Sequence, residues 1–221
     1  MPKQVENVAV DDALTTIYRI THDEGGEAIA ARLAERLDIR PASMAGMVAR
    51  LSRDHLVSVE AKKRITLTAE GMVRAEHMVR RHRLAECLLV EVLKLEWWRA
   101  YEEAHLMEHA ISDVTEPLIV QMLGNPVRSP FGYPIPGNGH SHPLSARRLA
   151  DLAEGARSVV ERVYEEDEEL LRFFDQEGIR PGVPIEVTER APKRGTVTAI
   201  FGEREVVLGT DAARLVWVPE R

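Results

Sequence analysis

The sequence predicts a mainly α chain with β: an amino-terminal winged helix-turn-helix, a central helical part and a small carboxy-terminal β-barrel. Three observations predict it. Two helical patterns joined by a tight turn precede two short alternating strands; two long helical patterns follow; and from residue 158 onward short strands recur between turns. The 221 residues allow more than one domain, and 44% hydrophobic residues suffice for folded cores.

Asp11 to Ile20 reads as a helix with Leu14, Ile17 and Tyr18 on one side, and Gly25-Gly26 ends the region after it. Ala28 to Leu37 is rich in good helix formers. Asp38-Ile39-Arg40 is a turn, and Pro41 suits the first turn of a helix that runs to about Arg53 with Met44, Met47, Val48 and Leu51 at core spacing. Leu56 to Leu67 follows as two strands around the basic loop Ala61-Lys62-Lys63-Arg64. Thr68 is a cap candidate for a helix from Glu70 to Leu95. Arg99 to Leu123 is a second long helix, with a kink or break expected at Pro117. Residues 124–144 are crowded with Pro and Gly and read as a linker. Ser158 to Val163 reads as a strand and Glu165 to Phe174 as an acidic helix. Val183 to Thr188, Thr196 to Ile200, Glu205 to Leu208 and Leu215 to Val218 are the remaining strands. The expected domains are 1–76, 77–144 (linker included) and 145–221.

The net charge of −7 hides a segregation. Residues 27–83 hold 12 Lys+Arg against 7 Asp+Glu, whereas 84–123 and 161–177 each hold 2 against 8. A DNA-binding face needs local positive potential rather than a basic whole chain. No apolar run reaches the length of a membrane span and no signal-like segment opens the chain, so no membrane association is expected. Cys87 is the only cysteine, which excludes an intramolecular disulfide and fits a reducing, cytoplasmic setting.

The first residues of the second short helix would face base edges in a major groove. Arg40 could grip guanine or phosphate, Ser43 could bond either, Ala42 or Ala45 could touch a thymine methyl, and Gly46 lies on the same face. Strong base readers are few, so phosphate contacts and DNA shape are expected to share the work. Lys62, Lys63 and Arg64 of the wing would meet phosphates or the minor groove. Helix-turn-helix units also serve as plain packing modules, but the wing directly behind this one favours DNA.

His105, Glu108 and His109 stand at i, i+3 and i+4, in reach of a single cation, and His82 and Glu86 form an i, i+4 pair upstream. Such pairs are often solvated helix faces; together with a DNA reader they suggest a metal-sensing transcription factor. His105 to His109 also fits H-x-x-E-H, the pattern of a zinc peptidase with Glu108 as base and even Glu186 as a distant ligand. The short helical setting and the preceding DNA reader argue against an enzyme.

The runs MVRRHRLAE (Met78 to Glu86), HLMEHAISD (His105 to Asp113) and SPFGYPIPG (Ser129 to Gly137) resemble the diphtheria toxin repressor family of iron- and manganese-dependent regulators, over nearly the whole chain. The resemblance implies a homodimer on double-stranded operator DNA, a central dimerisation domain, and an SH3-like (FeoA-like) carboxy-terminal module. It implies a primary metal site of Asp12, His105, Glu108 and His109. It also implies an ancillary site of His82 and Glu86, with Glu166 and Glu169 reaching back to it. Iron-sensing members place Met and Cys where this chain has Asp12 and His105, manganese-tuned members Asp and Glu, and Tyr101 stands where a further ancillary His is common. Two carboxylates and two imidazoles without sulfur suit Mn(II) first and Fe(II) second, although bare affinity would favour Zn, Ni or Cu. The expected function is a metal-activated repressor controlling metal uptake genes, its rival a winged-helix regulator whose metal is only structural. The dimer surface is expected around Leu84, Leu88, Leu89, Val92 and Leu93 with Trp97 or Trp98 nearby.

Overall fold

The computed structural model describes residues 2–139 and 144–220, with side chains from residue 8 onward; residues 140–143 of the Pro/Gly-rich segment lie outside the described residues. The chain divides into two compact units, up to Arg81 and from His82 onward.

In the first unit, helix α1 (Pro2–Tyr18) continues into a π-helical turn, Arg19–Asp23. Val10, Ala13, Leu14 and Ile17 recur at i, i+3, i+4 and i+7 and are buried, as a one-sided helix requires. Helices α2 (Ala30–Arg36) and α3 (Pro41–Arg53) are joined by a turn in which Asp38 takes φ +48°, a left-handed cap that Asp tolerates better than most residues. Pro41 sits in the first turn of α3, and Met44, Val48 and Leu51 drive that helix into the core. Strands β1 (Val57–Val59) and β2 (Ile65–Leu67) pair antiparallel, Val59 opposite Ile65, around a single 3-10 turn, Ala61–Lys63. The winged helix-turn-helix is therefore present as expected.

Helix α4 (Ala69–Cys87) opens on Thr68, whose Oγ1 accepts from the Gly71 N–H at 3.1 Å and donates to the His55 carbonyl at 2.6 Å. Its first turn lies so close to the wing's root that a β-carbon on Gly71 would overlap the Leu56 carbonyl.

In the second unit α4 ends in a π-helical turn, Leu88–Val92, before a 3-10 turn at Trp97–Arg99 and helix α5 (Ala100–Met107). The expected single helix from Arg99 to Leu123 is broken. A 3-10 turn takes Glu108–Ala110, and helix α6 (Glu116–Met122) starts anew with Pro117 in its first turn. Ser112 and Thr115 side chains exchange hydrogen bonds with each other's backbone N–H (2.9 and 3.2 Å), a cap pair that ends one helix and begins the next.

The small barrel comprises a four-stranded antiparallel sheet and a two-stranded one. The first orders β3 (Arg157–Val159), β5 (Pro184–Ala191), β6 (Thr196–Phe201) and β7 (Arg204–Gly209); the second pairs β4 (Arg162–Val163) with β8 (Val216–Trp217). The expected strand Ser158–Val163 is thus two strands. Val160 still donates to the Val183 carbonyl, but Glu161 donates to Trp217, so the chain changes partner between them. The acidic helix is α7 (Glu168–Glu177) rather than Glu165 to Phe174, because the Asp167 side chain caps it through the Leu170 N–H and Gly178 at φ +72° ends it. A last short helix, α8 (Thr210–Ala213), precedes β8.

The segment read as a linker is packed. Phe131 and Tyr133 belong to the main core of this unit and Ile135 packs with Leu84 and Cys87. Trp97 Nε1 donates to the Pro130 carbonyl at 3.0 Å and the Arg83 guanidinium to that of Pro134 at 2.7 Å. The residues expected at a dimer surface also split: Leu84, Leu89 and Trp97 are core, while Val92 and Leu93 are exposed. Among the described residues no helix is long and apolar enough to cross a membrane.

Gly71→Ala is expected to destabilise the first unit by about 1–3 kcal/mol, as overpacking against rigid backbone does, read as a lowered midpoint in chemical denaturation.

Candidate metal centre

Helices α4 and α5 share a small core of Ala85, Leu89, Ala104 and Ile111, and the two alanines keep little bulk between the helices. One turn before Ala85 lies His82, and one turn beyond Ala104 lies Glu108. Both are buried, at 0% and 3% exposure, and His82 Nδ1 stands 2.7 Å from Glu108 Oε2. Glu86, one turn along α4 and also fully buried, approaches His82 Nε2 at 3.0 Å. The other oxygen of Glu108 meets His105 Nδ1 at 3.1 Å and His109 Nε2 at 3.4 Å. One carboxylate thus touches three imidazoles, and one imidazole lies between two carboxylates.

Donor atoms of His82, His105 and Glu108 lie within 4.8 Å of one another, so His82 of the second set joins two residues of the first. Asp12 belongs to the other unit, where it is half-buried on α1 and the Thr15 and Thr16 hydroxyls donate to its carbonyl at 3.0 and 2.7 Å. Tyr101 packs its ring against His82, centroids 4.9 Å apart, and so orients that imidazole.

Glu166 and Glu169 join no cluster of potential ligands among the described residues. Glu166 accepts from the Tyr164 hydroxyl at 3.3 Å, and Glu169 is exposed on the first turn of α7. The buried member of that acidic run is Glu165, at 3% exposure. It lies just past β4 (Arg162–Val163), whose two residues are both buried, so no strand alternation in the sequence marks it out.

The residues fit a divalent cation on two counts. Both Glu86 oxygens are buried without a hydrogen bond, and an imidazole at 3.0 Å is the one neighbour of opposite polarity that the described residues give that carboxylate. The donor set is oxygen and imidazole, suited to first-row metals of the harder kind. Cys87 is turned away, its Sγ 3.6 Å from the Arg128 carbonyl, and burial, then the neighbouring Glu86, push its thiol well above the ordinary range. It is no ligand.

In the first unit the exposed face of α3 carries Ala42, Ser43, Ala45 and Gly46, with Arg40 at its N-cap, all exposed. Lys62 and Lys63 occupy the wing turn, exposed and at φ +60° and +61°. These residues share one unit, and His82, Glu86, His105, Glu108 and His109 lie in the other.

Comparison with known proteins assigns each part. Residues 8–65 match the family described as iron dependent repressor, N-terminal DNA binding domain; 68–137 match its metal binding and dimerisation domain; and 147–220 match the FeoA domain. The iron-dependent repressor IdeR of Mycobacterium tuberculosis is 34% identical over 219 residues, covering 93% of this chain and 94% of that protein. The diphtheria toxin repressor of Corynebacterium diphtheriae is 32% identical, covering 94% and 95%. A solved structure of a manganese-dependent transcriptional repressor in complex with manganese superposes with a TM-score of 0.87 at 31% identity, covering 95% of this chain and 98% of that one.

The fold and site define a metal-dependent, DNA-binding transcriptional repressor that works as a homodimer on operator DNA, and not an enzyme. The chain belongs to the diphtheria toxin repressor/IdeR family. The peptidase reading of His105 to His109 falls with that assignment.

Glu108→Gln is expected to weaken divalent-metal binding by about tenfold or more, since even groups one step removed from a metal cost that much. Isothermal titration with Mn(II) reads the loss, and circular dichroism checks the fold.

Proposed function

We propose that this repressor is activated by Mn(II) first and Fe(II) second, and that it acts in the cytoplasm on genes of metal uptake. The observation that carries the reading is the Glu108 carboxylate, buried among His82, His105 and His109 with no sulfur in the set. The name of the manganese-complexed relative supports the same choice of metal.

Asp12, His105, Glu108 and His109 form the primary set in this proposal, and His82 and Glu86 the second. Glu165 is a stronger candidate than Glu166 or Glu169 for the acidic contribution from the stretch before α7. The bound ion supplies a link between α1 and the helical domain. The protein's own task is then to hold two copies of α3 at the spacing of successive major grooves, about 34–36 Å. Arg40, Ala42, Ser43 and Gly46 meet the groove, and Lys62 and Lys63 the flanking phosphates. Binding of metal and of DNA are reciprocally coupled, so operator DNA raises metal affinity.

The homodimer contact in this proposal uses the apolar side chains that the single chain leaves exposed. Leu118 and Met122 lie one turn apart on α6 at 59% and 64% exposure, and Leu93 follows the end of α4 at 61%. Leu118→Asp is expected to shift the protein to monomer in sedimentation and to weaken DNA binding with it. A variant that stays dimeric removes α6 from the contact.

Titrating Mn(II), Fe(II) and Zn(II) against affinity for promoter DNA tests the metal assignment. Asp12→Ala should abolish the metal dependence while leaving thermal unfolding of the metal-free protein unchanged. Equal DNA affinity of metal-free and metal-loaded parent protein would reduce the metal to a structural part and reject the proposal.

A further inference from the structure

Arg64 differs from the two lysines beside it on the wing. Its Nε lies 3.0 Å from Glu60 Oε2 and its Nη2 closes on the same oxygen, while Nη1 faces Glu27 Oε1 at 3.8 Å. The Thr66 hydroxyl donates to the second oxygen of Glu60 at 3.3 Å, which fixes the carboxylate along the strands. The backbone holds both partners in place. Glu60 N–H donates to the Arg64 carbonyl at 2.8 Å, and Arg64 forms an antiparallel bridge with Ile29. Lys62 and Lys63, between them, carry no ion pair among the described residues.

We propose that Glu60 is a built-in rival of the DNA backbone for Arg64, holding it as a neutral pair so that the wing engages phosphates through Lys62 and Lys63 alone. A carboxylate and a phosphate offer a guanidinium the same paired acceptors, so they compete for one group. The carboxylate is already in place. A phosphate that captured Arg64 would leave Glu60 unpaired beside a polyanion, and Glu27 adds a second acidic neighbour. The hydrogen bond from Arg64, then its charge, hold Glu60 below the usual carboxylate range, and Glu60 raises Arg64 in turn, so the pair stays ionised at neutral pH. The wing's effective charge toward DNA is therefore two, although its sequence shows three cations in a row.

The inference rests on the proposal that the wing meets DNA, and salt dependence separates the two. Each phosphate contact adds about −0.9 to the slope of log affinity against log salt. The probe is a short duplex of mixed sequence with the full-length, Mn(II)-loaded protein. Lys62→Gln/Lys63→Gln should weaken binding and flatten the slope by about 1.8. An unchanged slope in that variant removes the wing from DNA and the proposal with it. Glu60→Gln frees Arg64 and should tighten binding by about threefold or more, steepening the slope by about 0.9. Glu60→Gln/Arg64→Gln, which deletes the pair, should match the parent in both affinity and slope. Should Glu60→Gln bind no tighter, or the double variant lose about one contact's worth of slope, Arg64 already sits on a phosphate and the rivalry does not exist. Both side chains of the pair are exposed by more than a third, so these variants keep the fold, which thermal unfolding verifies.

Discussion

Two carboxylates held out of water around one imidazole are the constraint on which the second unit depends. Glu86 comes from α4 and Glu108 from the 3-10 turn that follows α5, and His82 stands between them. Both acidic groups are shut away from bulk water, and the imidazole between them is a near neighbour of each. The arrangement calls for positive charge, and His105 and His109 at the edge leave a path by which it can arrive. The metal dependence of the family is in this sense written into the burial of the acidic groups before any ion is considered.

The surrounding packing keeps that arrangement from relaxing. Successive residues of α4 are committed to different neighbours. His82 and Glu86 face the metal cluster, Arg83 reaches the Pro134 carbonyl and the Tyr133 ring, and Leu84 and Cys87 pack on Ile135. Gly132, at φ +96°, lets the Pro/Gly segment press against Glu161 and Arg162, where any side chain would collide. A segment that cannot slide holds α4 in register, and with it the His82 and Glu86 side chains.

Much of this was legible in the sequence. The i, i+3, i+4 spacing of His105, Glu108 and His109 foretold that the three meet, although Glu108 and His109 lie in the 3-10 turn after α5, and the alternation of Val57 and Val59 with Ile65 and Leu67 identified the wing. What escaped was decided by contacts that period and composition do not encode. Pro and Gly mark a chain that turns, but not whether it turns in solvent or in a core, so Phe131 and Tyr133 were read as linker. Pro117 was treated as a breaker inside a helix, whereas the Ser112–Thr115 cap pair made it a starter. Three of the expected dimer leucines and tryptophans are core because apolar periodicity is the same for both fates. Charge counting grouped Arg64 with Lys62 and Lys63, and its ion pair with Glu60 four residues earlier was not part of that count.

The thiol of Cys87 sits one residue from Glu86 yet faces the opposite way, buried and hard to ionise. Thiolates are what peroxide attacks, and a sensor that coordinates its ion through sulfur can be silenced by oxidation whether or not metal is plentiful. The candidate cluster holds only carboxylates and imidazoles among the described residues, so oxidation of a ligand thiolate has no place in it. If those residues hold the ion, peroxide can reach the response only through the metal or an imidazole and not through a ligand sulfur.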